Sequence, residues 1–449
     1  MKKIIFDKRM TETWIYPVIC EERDLIKDSE RWLDFLDEES SNKLPFRIFI
    51  QIPICSELCE FCPYYKEAMC DFSEDKLDKF VNSIIEELEY FSEKKYFQER
   101  KVSTICIGGG DPSSLPIKYW NKIFKSISNL FDLSELCGIS MEGTVKNLLK
   151  PEYIDGLIEN KVDRISFGIQ TFDSKLKKTM NISVRNEEIY DLVERLKNSP
   201  ITDYSFDMMY NMPNQSKELL FEDLNTAIKL KPQYIDIHGM DIYPDTSFFK
   251  KIYEGNYEIK PSRAREIEMY SQVSQFFENT EYSQVSSNLY SLKNEPFIGY
   301  KRYLRGYPML GIGPSARSYV EKHSFRNANQ IDQYINMIGI TKNAVEYGHV
   351  SSDEDDDLRK MVFFPSMTWI DKSEIIGGEN VEKTIKNLLE CEYVRWEGSK
   401  LKLTNTGKIF AGNISRLFYS KEQKERDFIN LLNMIRSQKT SNVKGEESE

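Results

Sequence analysis

Between residues 52 and 65 the chain reads Ile-Pro-Ile-Cys-Ser-Glu-Leu-Cys-Glu-Phe-Cys-Pro-Tyr-Tyr, which places Cys55, Cys59 and Cys62 at C-x3-C-x2-C spacing. Three thiolates can hold three irons of a [4Fe–4S] cluster, whereas closing one takes four. The fourth iron then stays open to a chelating ligand, an arrangement that suits a cluster binding and reducing its substrate. Zinc with Cys70 as fourth ligand is the competing assignment; the seven residues between Cys62 and Cys70 are long for a knuckle, and paired C-x2-C units are missing. Cys20, Cys106, Cys137 and Cys391 read as small buried apolar residues. With only His238, His323 and His349 in the chain, His-based triads and His-rich zinc sites have little to draw on.

The elements that must position this loop repeat along the chain. Phe46, Ile48, Ile50 and Ile52 alternate as in a strand, and Leu77, Phe80, Val81, Ile84, Leu88 and Phe91 fall on one helical face behind Ser73 as N-cap. Further strand-like runs are Val102–Ile107, Leu136–Met141, Val162–Gly168, Tyr204–Met208 and Tyr234–Met240. Their spacing of roughly 30 to 50 residues suits βα units and a parallel sheet. The strand ends lead to Cys55, to Gly108-Gly109-Gly110-Asp111, and to Glu142, Gln170, Asp207 and Asp241. Parallel β/α barrels assemble their sites at that carboxyl end, so the six ends predict one cleft.

Composition narrows the class. The 449 residues carry 61 Lys and Arg against 72 Asp and Glu, a net charge of −11, which argues against nucleic acid as the main partner. No apolar run of about 18 residues or secretory leader is present, so a cytoplasmic protein without a membrane span is expected. The expected organisation is an N-terminal extension (1–45), a (β/α)6 core (46–245), a core extension of mixed connecting structure (246–345), a C-terminal helical, winged-helix-like domain (346–420) and a flexible charged tail (421–449). The acidic run at 351–357 reads as a solvated helix N-terminus.

The cysteine spacing with Phe61 before the last cysteine resembles the signature of radical S-adenosylmethionine (SAM) enzymes. The surrounding motifs are similar to the branch containing oxygen-independent coproporphyrinogen III oxidase: Ile52-Pro-Ile-Cys55, Gly108-Gly-Gly-Asp-Pro-Ser113, Glu142-Gly143, Arg164-Ile-Ser-Phe-Gly-Ile-Gln-Thr-Phe172, Asp207-Met-Met-Tyr-Asn-Met-Pro-Asn-Gln215 and Gly311-Ile-Gly-Pro-Ser-Ala-Arg-Ser318. The resemblance implies a partial parallel (β/α)6 barrel of radical SAM type, a [4Fe–4S] cluster on Cys55, Cys59 and Cys62, and SAM chelating the open iron. It implies SAM or cluster contacts from Phe49, Phe61, Gly109, Gly110, Asp111, Glu142, Gln170, Asp207, Asp241 and Arg317. It also implies a flavodoxin or ferredoxin as electron donor, a small-molecule substrate and a monomer.

Departures from the branch pattern shape the expected reaction. The oxidase carries Tyr and His where Phe49 and Gln51 stand, and a fourth Cys where Tyr64 stands. The branch Arg 12 residues past Gln170 is Ile182 here, with Arg185 as a possible substitute, and Asp111 replaces a Thr. Haem-carrier members use a His-Asn pair before the G-[IV]-G segment, and residues 298–305 contain no His. Glu142-Gly-Thr-Val-Lys-Asn147 is closer to the class C methyltransferases, which are thought to hold two SAM molecules. The leading expectation is therefore transfer of a methyl or methylene unit to an sp2 carbon, in a cleft lined by Met208, Met209, Tyr210, Met212 and Tyr243. A haem-binding chaperone and a coproporphyrinogen oxidase-like decarboxylase are the alternatives.

Overall fold

The computed structural model describes residues 4–446 except 7, 12, 14, 41, 202, 244, 245 and 256. Six strands appear where hydrophobic alternation places them: β1 (Phe46–Ile52), β2 (Val102–Gly109), β3 (Ile139–Gly143), β4 (Arg164–Gln170), β5 (Asp203–Tyr210) and β6 (Tyr234–Gly239). Each pairs in parallel with the next, which forms the partial (β/α)6 barrel. Their outer face is apolar. Phe46, Ile48, Ile50 and Ile52 of β1 are fully buried in one core with Ile165, Phe167, Phe206 and Ile235.

Helices cover that face: α1 (Glu74–Ser92), α2 (Ile117–Leu130), α3 (Tyr153–Glu159), α4 (Asn186–Lys197) and α5 (Lys217–Leu230). The Ser73 hydroxyl accepts from the Lys76 N–H at the start of α1, and Leu77, Phe80, Val81, Ile84, Leu88 and Phe91 are buried as their spacing requires. The inner face differs. Arg47, Thr104, Ser140, Glu142, Arg164, Ser166, Asp207, Asp236 and His238 alternate with the core residues along β1–β6. Barrel interiors are ordinarily filled by branched aliphatics, so this polar lining marks a ligand cleft.

The stretch expected to be mixed connecting structure extends the sheet on both edges. After α6 (Arg263–Phe277), β7 (Ser283–Gln284) and β8 (Leu289–Ser291) add antiparallel strands beyond β6. Past α7 (Ile298–Leu304), β9 (Met309–Ile312) returns to the opposite edge and lies parallel to β1. The strands β10 (Arg317–Val320), β11 (His323–Asn327) and β12 (Val345–Val350) follow as antiparallel neighbours. The sheet order is β12-β11-β10-β9-β1-β2-β3-β4-β5-β6-β8-β7. Two glycines permit the β9 junction: a Cβ on Gly311 would lie 2.3 Å from the Arg317 carbonyl oxygen, and one on Gly313 (φ +99°) 2.4 Å from that of Gln51.

The C-terminal region has α8 (Asp353–Met367), β13 (Trp369–Asp371), α9 (Gly378–Glu390), β14 (Val394–Glu397) and β15 (Lys400–Leu403). Its strands form a small sheet in the order β13-β15-β14, a winged-helix-like plan with its own apolar core. Ser352 caps α8 ahead of the acidic run, but Asp355 is buried rather than solvated and accepts from the Tyr16 hydroxyl at 3.1 Å. The segment expected to be a flexible tail is helical as α10 (Lys421–Glu446); residues 447–449 lie outside the described residues. Its first turns are held by Arg426, whose Nη1 donates to both Asp24 oxygens at 2.9 and 2.8 Å in a buried pair. The N-terminal extension runs between the barrel and this region: Arg9 pairs with Glu266 of α6, and the Met10 and Val18 amides donate to Asn413 and Gln423. Among the described residues no helix is long and apolar enough to cross a membrane.

Candidate active site

The cysteine loop leaves β1 and is closed at its base by a two-stranded pairing of Ile54–Cys55 with Glu67–Ala68. Cys55 is buried, Cys59 exposed and Cys62 half-buried, and all three are free thiols. Burial, reinforced by Asp111 and by Cys59 and Cys62, pushes the Cys55 thiol up to about 12. Partial desolvation by the surrounding loop, followed by Cys62, raises Cys59 although its side chain reaches the surface. Such thiols release their protons to a metal rather than to water. Cys70 sits exposed in the turn Met69–Asp71 with its sulfur 3.8 Å from an Asp71 oxygen. Among the described residues no three His, Cys, Asp or Glu side chains are gathered tightly enough for a single ion. Three thiolates on one loop, Cys55, Cys59 and Cys62, are the donor set that holds three irons of a [4Fe–4S] cluster.

Glycines seat this loop on the barrel. The pairing of β1 with β2 continues past the strand ends, where the Gly110 and Asp111 amides donate to the Ile52 and Ile54 carbonyls at 2.8 Å. A Cβ on Gly110 would lie 2.8 Å from the Cys55 sulfur, and one on Gly108 2.7 Å from the Glu142 carboxylate. Gly109 has φ +122° and donates its N–H to Glu142 at 3.2 Å. The run of three glycines is thus a site where loop, sulfur and carboxylate converge on bare backbone.

Glu142, Asp207, Asp236, Arg164 and His238 form one electrostatic group along β3–β6. Burial raises Glu142, with the Gly109 N–H and Arg164 opposing. Burial, then Asp236 and Glu142, push Asp207 up to about 7. Asp236 ends up lowered although burial, its largest influence, acts the other way; His238, 2.9 Å away, is the chief opposing group. Gln170 ends β4 with φ +58°, and its amide folds back over Gly168. Burial raises Asp241, with Arg9 of the extension opposing. Phe61 packs on the cluster of Leu176, Met180, Met212 and Met240. Phe49 lies on the inner face, in register with Cys106 and Gly311.

Several expected members stand elsewhere. Asp111 does not face the cleft: it is buried, its Oδ1 accepts from the Ser113 amide and hydroxyl, and its Oδ2 accepts from Ser114, Thr144 and Asn147. It is a knot rather than a cofactor contact. Asn147 also donates to Ser56 at 2.8 Å, which ties the cysteine loop to the ends of β2 and β3. Ile182, at the branch Arg position, joins the apolar cluster around Phe61. Arg185 does not replace that Arg, since its side chain is 71% exposed and lies against Glu188. Met208, Tyr210 and Met212 are core, which leaves Met209 and Tyr243 as the partly open members of that set. Sequence reasoning missed Arg164, Asp236 and His238. Their signal was polar residues alternating with apolar ones inside β4 and β6.

Comparison with known proteins agrees with this geometry. Residues 49–227 match the family model of the radical SAM superfamily. The chain is 27% identical over 296 residues to the haem chaperone HemW of Lactococcus lactis, covering 65% of this chain and 74% of that one. It is 22% identical over 315 residues to anaerobilin synthase of Escherichia coli O157:H7, covering 70% and 69%. It is 22% identical over 429 residues to oxygen-independent coproporphyrinogen III oxidase of Helicobacter pylori, covering 90% and 92%. Coproporphyrinogen III oxidase (HemN) from Escherichia coli superposes with a TM-score of 0.76 at 18% identity, over 91% of this chain and 96% of that one, so the two share a fold. Residues 49–227 of this chain therefore form a radical SAM domain, of a superfamily whose cofactors are a [4Fe–4S] cluster and S-adenosylmethionine.

Proposed function

We propose that this protein cleaves S-adenosylmethionine reductively at a [4Fe–4S] cluster held by Cys55, Cys59 and Cys62, and acts on a tetrapyrrole-class small molecule. The observation that carries the reading is the convergence of the Cys55 sulfur and the Glu142 carboxylate on the bare backbone of Gly108 and Gly110. When bound, the cluster supplies the electron that splits SAM into methionine and a 5′-deoxyadenosyl radical. The chain's own part is placement. Gly109 and Gly110 let a methionyl group approach the backbone, and Glu142, Gln170, Asp207 and Asp241 offer acceptors to its amine and ribose. Phe61 shields the cluster side of the cleft, and Phe49 forms its floor.

The substrate class rests on the relatives, whose names refer to haem, anaerobilin and coproporphyrinogen. Methyl transfer, the expectation drawn from the Glu142–Asn147 motif, has no support among them. An enzyme is favoured over a haem carrier because each histidine is engaged: His238 with Asp236, His323 stacked on Phe35, and His349 with Gln423. The test is anaerobic reconstitution, reduction by dithionite or a flavodoxin, and detection of 5′-deoxyadenosine after adding SAM. A loaded cluster with no 5′-deoxyadenosine refutes the enzyme reading. S-adenosylhomocysteine formed alongside it reinstates methyl transfer.

A further inference from the structure

The inner face of the sheet is divided by charge. The strands β3–β6 bring Glu142, Asp207 and Asp236 to one side, where a cationic sulfonium and amine are favoured. On the other side, β1, β9, β10, α7 and α8 enclose Arg47, Arg317 and Arg359 around the Tyr303 phenol, and all three guanidiniums act on that phenol. Among the described residues none of the three has a carboxylate at ion-pair distance. Arg47 is 4% exposed, yet among the described residues its acceptors are the Thr104 hydroxyl at 3.3 Å and the sulfurs of Met309 and Cys106 at 3.5 Å. Its guanidinium lies 5.2 Å from the Tyr303 ring centre. Arg359 is 5% exposed, donates to the Tyr16 carbonyl and stacks 3.6 Å over Tyr319.

Arg317 is the half-buried member of this group. It begins β10 beside Gly311, at the level of Phe49, and faces the same side of the sheet as Arg47 through the register Arg47↔Met309↔Tyr319. Directly across the strand pair stands another cation, Arg326, which destabilises such a ladder by like-charge repulsion. Glu21 is the acid that reaches Arg317, but it is paired with Arg326 at 2.7 Å. Burial, then Arg326, pull the Arg317 guanidinium down to about 10. Gathering guanidiniums without counter-charge in a partly dry cleft is costly unless an anion completes the set.

We infer that Arg317, backed by Arg47, binds a carboxylate of the substrate and so selects tetrapyrroles with free propionate side chains. This rests on the tetrapyrrole reading above and deepens it. A carboxylate could also come from the methionyl end of a SAM molecule, and the test separates the two sources. Protoporphyrin IX and its dimethyl ester are titrated into the reconstituted protein under anaerobic conditions, followed by Soret absorbance, with SAM binding measured in parallel. The native protein is expected to prefer the free acid by about tenfold or more, the worth of one charge-assisted hydrogen bond. Arg317→Gln is expected to lose that preference while still binding the ester, which also shows that the variant is folded; Arg317→Lys keeps part of it. Equal binding of acid and ester by the native protein overturns the inference and leaves the tetrapyrrole reading intact. An undiminished preference in Arg317→Gln overturns it too, and weakened SAM binding in that variant then assigns Arg317 to the nucleotide. A native protein that binds neither porphyrin removes the tetrapyrrole reading itself.

Discussion

Replacing Asp111 by Thr restores the residue found in the related branch, yet the structure predicts harm. The Asp111 carboxylate accepts five hydrogen bonds, from the Ser113 amide and the side chains of Ser113, Ser114, Thr144 and Asn147. A Thr hydroxyl has two lone pairs, so three of these donors lose their acceptor. At about 1.5–3 kcal/mol for each hydrogen bond to a charged acceptor, losing three costs about 5 kcal/mol or more. The Ser113 amide and the Asn147 amide group cannot swing to other partners as hydroxyls can. Two measurements on Asp111→Thr check this. Urea unfolding of the metal-free protein should shift to a lower midpoint; Trp120, which donates to the Pro112 carbonyl at 3.2 Å, serves as a nearby fluorescent reporter. Iron bound per chain after reconstitution should also fall, because Asn147 holds Ser56 of the cysteine loop. An unchanged midpoint together with full iron loading would show that this knot does not support the loop.

Other consequences can be measured as directly. In Gly110→Ala the new methyl meets the Cys55 sulfur at 2.8 Å and backbone carbonyls at 3.0 and 3.1 Å, an overpacking worth about 1–3 kcal/mol, so cluster content should drop. Gly108→Ala meets only the end of the Glu142 side chain, so it should retain iron and weaken SAM binding instead; equal iron loss in both variants contradicts the assignment. Cys55→Ala should abolish the cluster's visible absorption and Cys70→Ala should leave it intact, while a colourless native protein whose bound zinc is lost in Cys70→Ala refutes the cluster. Glu87 is fully buried and accepts from the Gly313 amide, Asn327 and Tyr334; burial raises its carboxyl from 4.5 to about 7. A raised acid favours the folded state while protonated. Stability should therefore decline as pH climbs from about 4.5 through about 7, by about 3 kcal/mol, and Glu87→Gln should flatten that slope in denaturation series.

What could be read from the sequence followed from local rules. Alternation located β1–β6, and strand ends carrying Cys55, Glu142, Gln170 and Asp207 pointed to one cleft because parallel strands align their carboxyl ends. Features made by distant segments stayed hidden. The four residues of β9 include Gly311, which weakens any strand signal, although its pairing with β1 completes the inner face. Asp111 looked misplaced beside an anionic ligand because its donors come from the separate segment Thr144–Asn147 as well as from its own loop. The charged end of the chain looked unstructured because the partner of Arg426 lies 402 residues earlier. Arg164 and His238 were visible as polar residues in apolar strands, a signal outweighed by the attention that strand ends attracted.

The Asp24–Arg426 pair also sets an order of events during synthesis. At roughly 5–20 residues per second, the ribosome needs roughly 20 to 80 s to make the partner of Asp24. Throughout that interval Asp24 has no Arg426 to clasp, and by its end all six strands of the barrel and the cysteine loop have been made. Asp24 is thus fastened only after the barrel strands and the cysteine loop between it and Arg426 have been made.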